Sequence, residues 1–316
     1  MQAFQQVREA VMDVSLYYWN DMPNFGDQLN VDVCRSLFGV NPVWEKPKRC
    51  DAIFIGSVLE KFIYRRDAWT VDALWVKYAR SRVSVWGSGF IRDEERANER
   101  LSRRVKIHAV RGLRTLERMR KMTGAALENV VLGDPGLFAS KIYPSGDGKI
   151  YVCGIIPHHA EVASVSRSAE VVSYERESGF LHPSTVAALP LYARLTRAIP
   201  EVVIINPESS PAVVVRNISR CATILSSAMH GLIVSDSFGI PNIRISASDL
   251  VVRGDYKFKD YYSVFKQDRY RVIDIGAELP SHLLDVVKNG YEEVSEEVVK
   301  IQDDLRVSFP LVRMRG

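Results

Sequence analysis

The sequence predicts an α/β fold made of two Rossmann-like domains with a central cleft. Three observations carry that expectation. Residues 202–245 read as strand, helix, strand, helix, strand, an order that favours parallel pairing. In the first half, apolar runs end in Gly56-Ser57, Gly87-Ser88-Gly89 and Gly133-Asp134-Pro135-Gly136. Strand ends of that composition belong at the carboxyl edge of an open α/β sheet, where ligands sit. The third observation is length, since 316 residues are long for one hydrophobic core and comfortable for two.

Each element can be justified in order. Val14–Trp19 reads as a strand, Asn24-Phe25-Gly26-Asp27 as a turn and Gln28–Leu37 as a helix. The apolar runs Ala52–Val58, Arg82–Trp86, Val105–Val110 and Val130–Leu132 read as further strands. Leu113–Met122 reads as a basic helix, with Arg114, Arg118, Arg120 and Lys121 on a solvated face. Ser145-Gly146-Asp147-Gly148 is the linker candidate, and a new strand begins at Lys149. Val171–Tyr174 reads as a strand, and Pro183–Ile199 as a helix broken at Pro190. A helix then covers Pro211–Cys221 and another runs to Phe238, where Gly239 and Pro241 stop it before a strand at Asn242–Ile245. Leu279–Leu305 carries charges on a helical period and reads as one or two terminal helices. The expected domains are residues 1–146 and 147–278, with 279–316 as helices that pack back on the first domain.

Composition limits the function. The chain is 47% hydrophobic and 25% charged, an ordinary globular balance. A net charge of +4 is too diffuse for nucleic acid and fits an acidic small ligand or weak attraction to anionic lipid. Cys34, Cys50, Cys153 and Cys221 lie far apart, mostly in apolar runs, and read as buried thiols of a cytoplasmic protein. No secretory pattern opens the chain, and no run reaches the ~18 apolar residues of a membrane span. Work on lipid-linked material would take place from the inner face of the membrane, as a peripheral contact.

Common phosphate signatures are absent. No G-x-x-x-x-G-K-[ST] occurs, and Arg92 stands where a dinucleotide motif starting at Gly87 would need its third glycine. His158-His159 lacks further ligands at metal spacing, and adjacent histidines at a strand end are expected to point apart, so no metal is expected. His158 follows a strand end and is a cleft-lining candidate. The step Ser226-Ser227-Ala228-Met229-His230-Gly231 is more telling, because a strand hands over to a helix there. Free backbone N–H groups and the helix dipole favour an anion at such a junction. Asn24 and Asp27 read either as turn and cap residues or as a pair that binds and deprotonates an acceptor. Asp134 reads as a turn residue first and a cleft residue second.

Six segments in order, NFGDQLN, VWGSGF, AVRGLRTLERM, VLGDPGLF, GIIPHH and SSAMHGLIVSDSFGIPNI, together resemble the polysaccharide pyruvyl transferase family, most closely its exopolysaccharide enzymes of the succinoglycan type. The resemblance runs from about Ser15 to about Tyr262. It implies a GT-B-like architecture with the active site in the cleft. It also implies transfer of a pyruvyl group from phosphoenolpyruvate to two hydroxyls of one hexose, which gives a cyclic ketal and phosphate without a cofactor. The acceptor would be an oligosaccharide, lipid-linked or free, held by the N-terminal domain; the donor would lie on the C-terminal domain. The family's key histidine falls on His230 and its key arginine on Arg111, and Lys257 lies in a Tyr-Lys-Phe segment of familial look. Many members carry an arginine two residues before the histidine, where this chain has Ala228. Another cation must then serve, and Arg216, Arg220, Arg244, Arg253 and Lys257 are the candidates.

The residue types suit that chemistry. A doubly acidic donor needs guanidinium or ammonium partners, and backbone N–H groups at Ser227, Met229 and Gly231 could hold its phosphate. Protonation of an enol carbon needs an acid that works near neutrality, which histidine supplies. His230 and Asp27 are therefore the catalytic candidates, with Arg111, Gly231, Ser227, Met229, Asn24, His158 and Lys257 binding substrates. Two other readings of the same chain are a glycosyltransferase using a nucleotide sugar and a non-catalytic carbohydrate-binding protein.

Overall fold

The computed structural model describes residues 12–65, 74, 76, 82–93, 98–145, 148–246, 255–266, 269–276, 279–280 and 282–310. Two all-parallel sheets organise them. The first has the order β2-β1-β3-β5-β7-β8, built from β1 (Met12–Leu16), β2 (Val40–Trp44), β3 (Ala52–Ile53), β5 (Val83–Trp86), β7 (Val105–Val110) and β8 (Val131–Leu132). The second has the order β10-β9-β11-β12-β13, from β9 (Cys153–Ile156), β10 (Val202–Ile204), β11 (Ile224–Ser226), β12 (Asn242–Ser246) and β13 (Val272–Asp274). A small antiparallel pair, β4 (Ile63–Arg65) with β6 (Glu99–Leu101), lies outside both. The α/β class expected from the sequence is therefore present, as two parallel sheets.

Several local expectations change. Val171–Tyr174 is not a strand but part of the helix Ala169–Ser178. Its β-branched residues suggest a strand, but Ser168 accepts from Val171 N as an N-cap, and Gly179 closes the helix in the left-handed region at φ 79°. Glu175, buried on that helix, pairs with Arg167 at 2.8 Å. Asn24–Asp27 is not a free turn: Asn24 caps a helix that starts at Phe25 and runs to Phe38. The helix over 183–199 is divided into Pro183–Ala187 and Pro190–Ala198, with the break at the expected proline. The terminal stretch forms Leu283–Asn289 and Ser295–Val307. Arg118 is no solvated residue; it is 4% exposed, donates to Arg92 O and Glu99, and lies over the Phe90 ring.

Packing carries the two sheets towards each other. The helix Phe25–Phe38 is tied to the second half by Phe25 N donating to Pro207 O at 3.0 Å. The helix Met229–Ser237 packs on the short turn Pro135–Phe138 of the first half, and one apolar cluster runs continuously from Val14 and Trp86 to Ile224 and Ile233. The terminal helix Ser295–Val307 lies on the first sheet, where Trp86 Nε1 donates to Leu305 O at 3.0 Å. Gly133, at φ 153°, must be glycine there, because a β-carbon would come within 2.4 Å of Ile301. All four cysteines are buried and free. Among the described residues no helix is long and apolar enough to cross a membrane.

Candidate active site

Parallel strands bring all their carboxyl ends to one edge, and the polar residues follow those ends. Trp19 to Asp27 follow β1, Gly56 and Ser57 follow β3, Gly89 follows β5, Arg111 follows β7 and Asp134 follows β8. From the other sheet, His158 and His159 follow β9 and His230 follows β11. Lys257 comes from the helix Tyr256–Tyr262 beyond β12. The two edges meet, and this is the carboxyl-end location where open α/β sheets hold ligands.

His230 sits at the centre. It is 7% exposed, near the start of the helix Met229–Ser237. Its Nδ1 side stands on Gly26, where a β-carbon would lie 2.0 Å from Nδ1; its Cδ2 side faces Gly136. His230 Nε2 is buried with no hydrogen-bond partner. Burial pushes the imidazole down to about 3, and the charges of Lys257, Arg111 and His159 add to that effect. Burial and these neighbours thus favour the neutral imidazole at physiological pH.

Asp27 shows the opposite displacement. Burial pushes its carboxyl up to about 7; Lys257 opposes this, the Asp134 charge adds to it, and the bond from Asn24 opposes it again. Asn24 Nδ2 donates to Asp27 Oδ2 at 2.6 Å, while Asn24 Oδ1 accepts from Gly26 N as the helix cap. Gly56 is left-handed at φ 118°, and its missing side chain leaves room for Asp27 Oδ1. Lys257 is half-buried and brought down to about 8 by burial and by the Arg111 and Arg244 charges, against the pull of Asp27. Its ammonium lies over the Phe258 ring at 5.1 Å.

The other expected residues divide. Arg111 is fully buried, with Nε on Asp260 Oδ2 at 2.9 Å, Nη1 on Ser57 Oγ and Nη2 on Phe90 O. It is a charge behind the site, fixed by protein partners. Ser227 is committed elsewhere: its Oγ accepts from His158 N, donates to Glu161 Oε2 and meets Tyr192 OH. Gly231 N donates to Ala228 O, so it is not a spare phosphate donor. The glycine is needed for packing, since a β-carbon would lie 2.4 Å from Ser226 Oγ. Met229 is buried at the first turn of the same helix. His158 and His159 do not point apart; their rings lie 4.1 Å apart, and His159 in turn meets Trp19 at 4.9 Å. Burial and Lys257 hold both imidazoles neutral, with His159 brought down to about 4.

Of the candidate cations, Lys257 alone reaches this cluster among those described. Arg216 and Arg220 lie where the helix Pro211–Ser219 ends and leads into the amino end of β11, at the far edge of the sheet. Arg244 is paired with Asp255 and Tyr270 and stacks 3.9 Å over Phe258. Arg253 lies outside the described residues. Sequence reasoning missed Asp260 and Trp19, placed Gly56-Ser57 at a ligand-holding strand end without a role, weighed His159 only as half of a metal pair, and ranked Asp134 as a turn residue before a cleft residue. Asp134 is completely buried: Oδ1 accepts from Gly136 N at 2.8 Å, and Oδ2 has no partner. Burial pushes its carboxyl up to about 6.

Two parallel sheets that meet carboxyl edge to carboxyl edge around a lysine, imidazoles and carboxyl groups define an α/β protein with a polar centre suited to a small anion. The sequence profile described as Polysaccharide pyruvyl transferase matches residues 3–249, and the chain belongs to that family. A stretch of 171 residues is 28% identical to uncharacterized protein L143 of Acanthamoeba polyphaga mimivirus, covering 52% of this chain and 50% of that protein. The chain therefore spans about half the length of the curated relative it matches. The structure of E. coli heptosyltransferase WaaC with ADP-2-deoxy-2-fluoro heptose overlays on 92% of this chain and 98% of its own, with a TM-score of 0.31 and 13% identity. A score that low carries nothing about activity.

Proposed function

We propose that this protein transfers a pyruvyl group from phosphoenolpyruvate to two hydroxyls of a hexose in an exopolysaccharide intermediate, as succinoglycan-type enzymes of the family would. The observation that carries the reading is the meeting of His230, Lys257 and Asp27 at the joined carboxyl edges, with the fixed Arg111 charge behind them. Lys257 takes the place of the arginine that Ala228 lacks. It binds the donor's phosphate or carboxylate, with the Met229 and His230 N–H groups at the helix start as further donors.

The donor's charge also changes the balance at His230. Burial and two cations keep His230 neutral. A bound dianion offsets those cations and favours the imidazolium. His230 then gives its proton to the methylene carbon, which becomes a methyl group, and the adjoining carbon becomes oxocarbenium-like. A first sugar hydroxyl adds to that carbon and loses its proton to Asp27, whose pKa near 7 suits a base. The carbon–oxygen bond to phosphate breaks, the second hydroxyl adds, and its proton leaves with phosphate or buffer. Two carbon–oxygen bonds form, one breaks, and a cyclic ketal remains. Asn24 holds Asp27 in place, and His158 lines the acceptor side.

The test is the product. Incubation with phosphoenolpyruvate and methyl hexopyranosides or an oligosaccharide should give an acceptor heavier by one pyruvate less one water, with phosphate released. Phosphoenolpyruvate should also raise the melting temperature, while uridine and guanosine nucleotide sugars should not. Stabilisation by a nucleotide sugar with release of nucleotide would replace this reading with a glycosyltransferase.

A further inference from the structure

His230 presents its two nitrogens to different surroundings. Nε2 is enclosed and has no partner among the described residues, whereas Nδ1 is not among the atoms enclosed in this way. The ring orientation is fixed on both sides: Nδ1 stands over Gly26, and Cδ2, the carbon bonded to Nε2, faces Gly136. A point one bond out from Gly136 Cα lies 3.9 Å from His230 Cδ2 and 3.1 Å from Asp134 Oδ1. Asp134 itself is fully buried, and its second oxygen, Oδ2, is also without a partner. The imidazole and the carboxyl group thus flank the same glycine, and each keeps one buried polar atom without a partner among the described residues. Buried polar groups are rarely left without a partner, so a shared one accounts for both.

We propose that Asp134 is the positioning carboxylate of His230: it holds the Nε2–H through one water, so that Nδ1 is the nitrogen that delivers the proton to the substrate. This rests on the functional reading above, which makes His230 the acid. The cations around the imidazole are Lys257 and Arg111, which oppose its protonation, and the neutral His159 ring lies beside them. His158, just beyond β9, interacts with the same imidazole, and the Asp27 and Asp260 carboxyl groups interact with Asp134. Asp134 shares Gly136 with the Cδ2 edge of the ring and keeps one buried oxygen without a partner among the described residues. A carboxylate there fixes the tautomer, as second partners of functional imidazoles commonly do, and offsets the cations when the ring takes its proton. Burial pushes the Asp134 carboxyl up to about 6, while the Gly136 N–H and the Arg111 charge favour its ionised form.

Asp134→Asn separates this role from the turn, because an amide oxygen can still accept from Gly136 N. The ring nitrogens of ¹⁵N-histidine-labelled protein would be followed with and without phosphoenolpyruvate, in the absence of acceptor. In the wild type, free neutral His230 should carry its proton on Nε2. With phosphoenolpyruvate bound, Asp134→Asn should lower the His230 titration by about one pH unit, the size of a single nearby charge effect. Phosphate release should fall about a hundredfold, with KM for phosphoenolpyruvate changed less than about threefold, as expected for a general-acid defect. A proton on Nδ1 in the free wild type overturns the proposal and needs no variant that folds. An unchanged titration in Asp134→Asn overturns it as well. Failure of phosphoenolpyruvate to stabilise the wild type would instead count against the functional reading, while the free-protein tautomer still decides the Asp134 contact.

Discussion

Gly26 and His230 are in direct contact across the two halves of the molecule: a β-carbon on Gly26 would lie 2.0 Å from Nδ1 and 2.7 Å from the β-carbon of His230. The glycine backbone is the floor on which the imidazole rests, so the helix Phe25–Phe38 and the helix Met229–Ser237 set the position of that ring together.

Gly26→Ala follows from that contact. Alanine favours a helix over glycine by about 1 kcal/mol, so the local backbone gains. The methyl group must nonetheless push the imidazole aside, and overpacking of that kind typically costs about 1–3 kcal/mol. Phosphate release should fall by about a hundredfold or more, the scale of a displaced catalytic group, while urea unfolding shows a change of no more than about 2 kcal/mol. Wild-type turnover in Gly26→Ala would show that the ring does not act from this position.

Asp260 is expected to be structural. Its carboxylate accepts from Arg111 Nε, from Thr115 N at 2.8 Å and from Thr115 Oγ1 at 2.7 Å, and both Asp260 and Arg111 are fully buried. Replacing it with Ala leaves a buried guanidinium uncompensated. Loss of about 3–5 kcal/mol in denaturant unfolding is the expected result. Retention of wild-type stability would mean that Arg111 finds solvent or another anion.

Asp27 gives a pH signature. The native carboxyl keeps its proton up to about pH 7, whereas the unfolded chain releases it near pH 4. Between those values the native state binds more protons, so raising the pH lowers stability. Asp27→Asn removes that loss. Its melting temperature relative to wild type should climb from about pH 4 to about pH 7 and then level. His230 acts in the other direction over an overlapping window: it stays neutral down to about 3 when folded and takes a proton below about 6.5 when unfolded. For that reason the difference between variant and wild type, not the wild-type curve, is the informative quantity.

Lys257→Met should weaken the donor selectively. One charge-assisted bond is worth about 1.5–3 kcal/mol, which corresponds to a rise in KM for phosphoenolpyruvate of roughly ten- to a hundredfold. Stabilisation by phosphoenolpyruvate in a thermal-shift experiment should shrink in step. Equal stabilisation of variant and wild type would return the search for the missing cation to Arg253.

Much of this arrangement is legible in the sequence because it is local. The His230-Gly231 step declares a strand-to-helix junction, and Gly and Asp after apolar runs mark the carboxyl edge. What is not legible depends on distance or on competing local signals. Arg111 meets Asp260 across 149 positions, and nothing near either residue announces the other. The need for glycine at position 26 exists only once His230 lies on it. Asp134 looks like a turn residue because it is one: the same side chain that caps Gly136 offers its other oxygen inward. The strand Val40–Trp44 escapes notice because of Pro42, which an edge strand with β1 on one side can accept. Val171-Val172 suggested a strand where Ser168 and Gly179 frame a helix.

The most direct measurement is phosphate release from phosphoenolpyruvate, dependent on a hexose acceptor, by purified wild type and His230→Ala. The wild type should release phosphate only when acceptor is present, and His230→Ala should be slower by about 10²–10⁴-fold while phosphoenolpyruvate still stabilises it. Undiminished release by His230→Ala would contradict the placement of the acid at this junction of the two sheets.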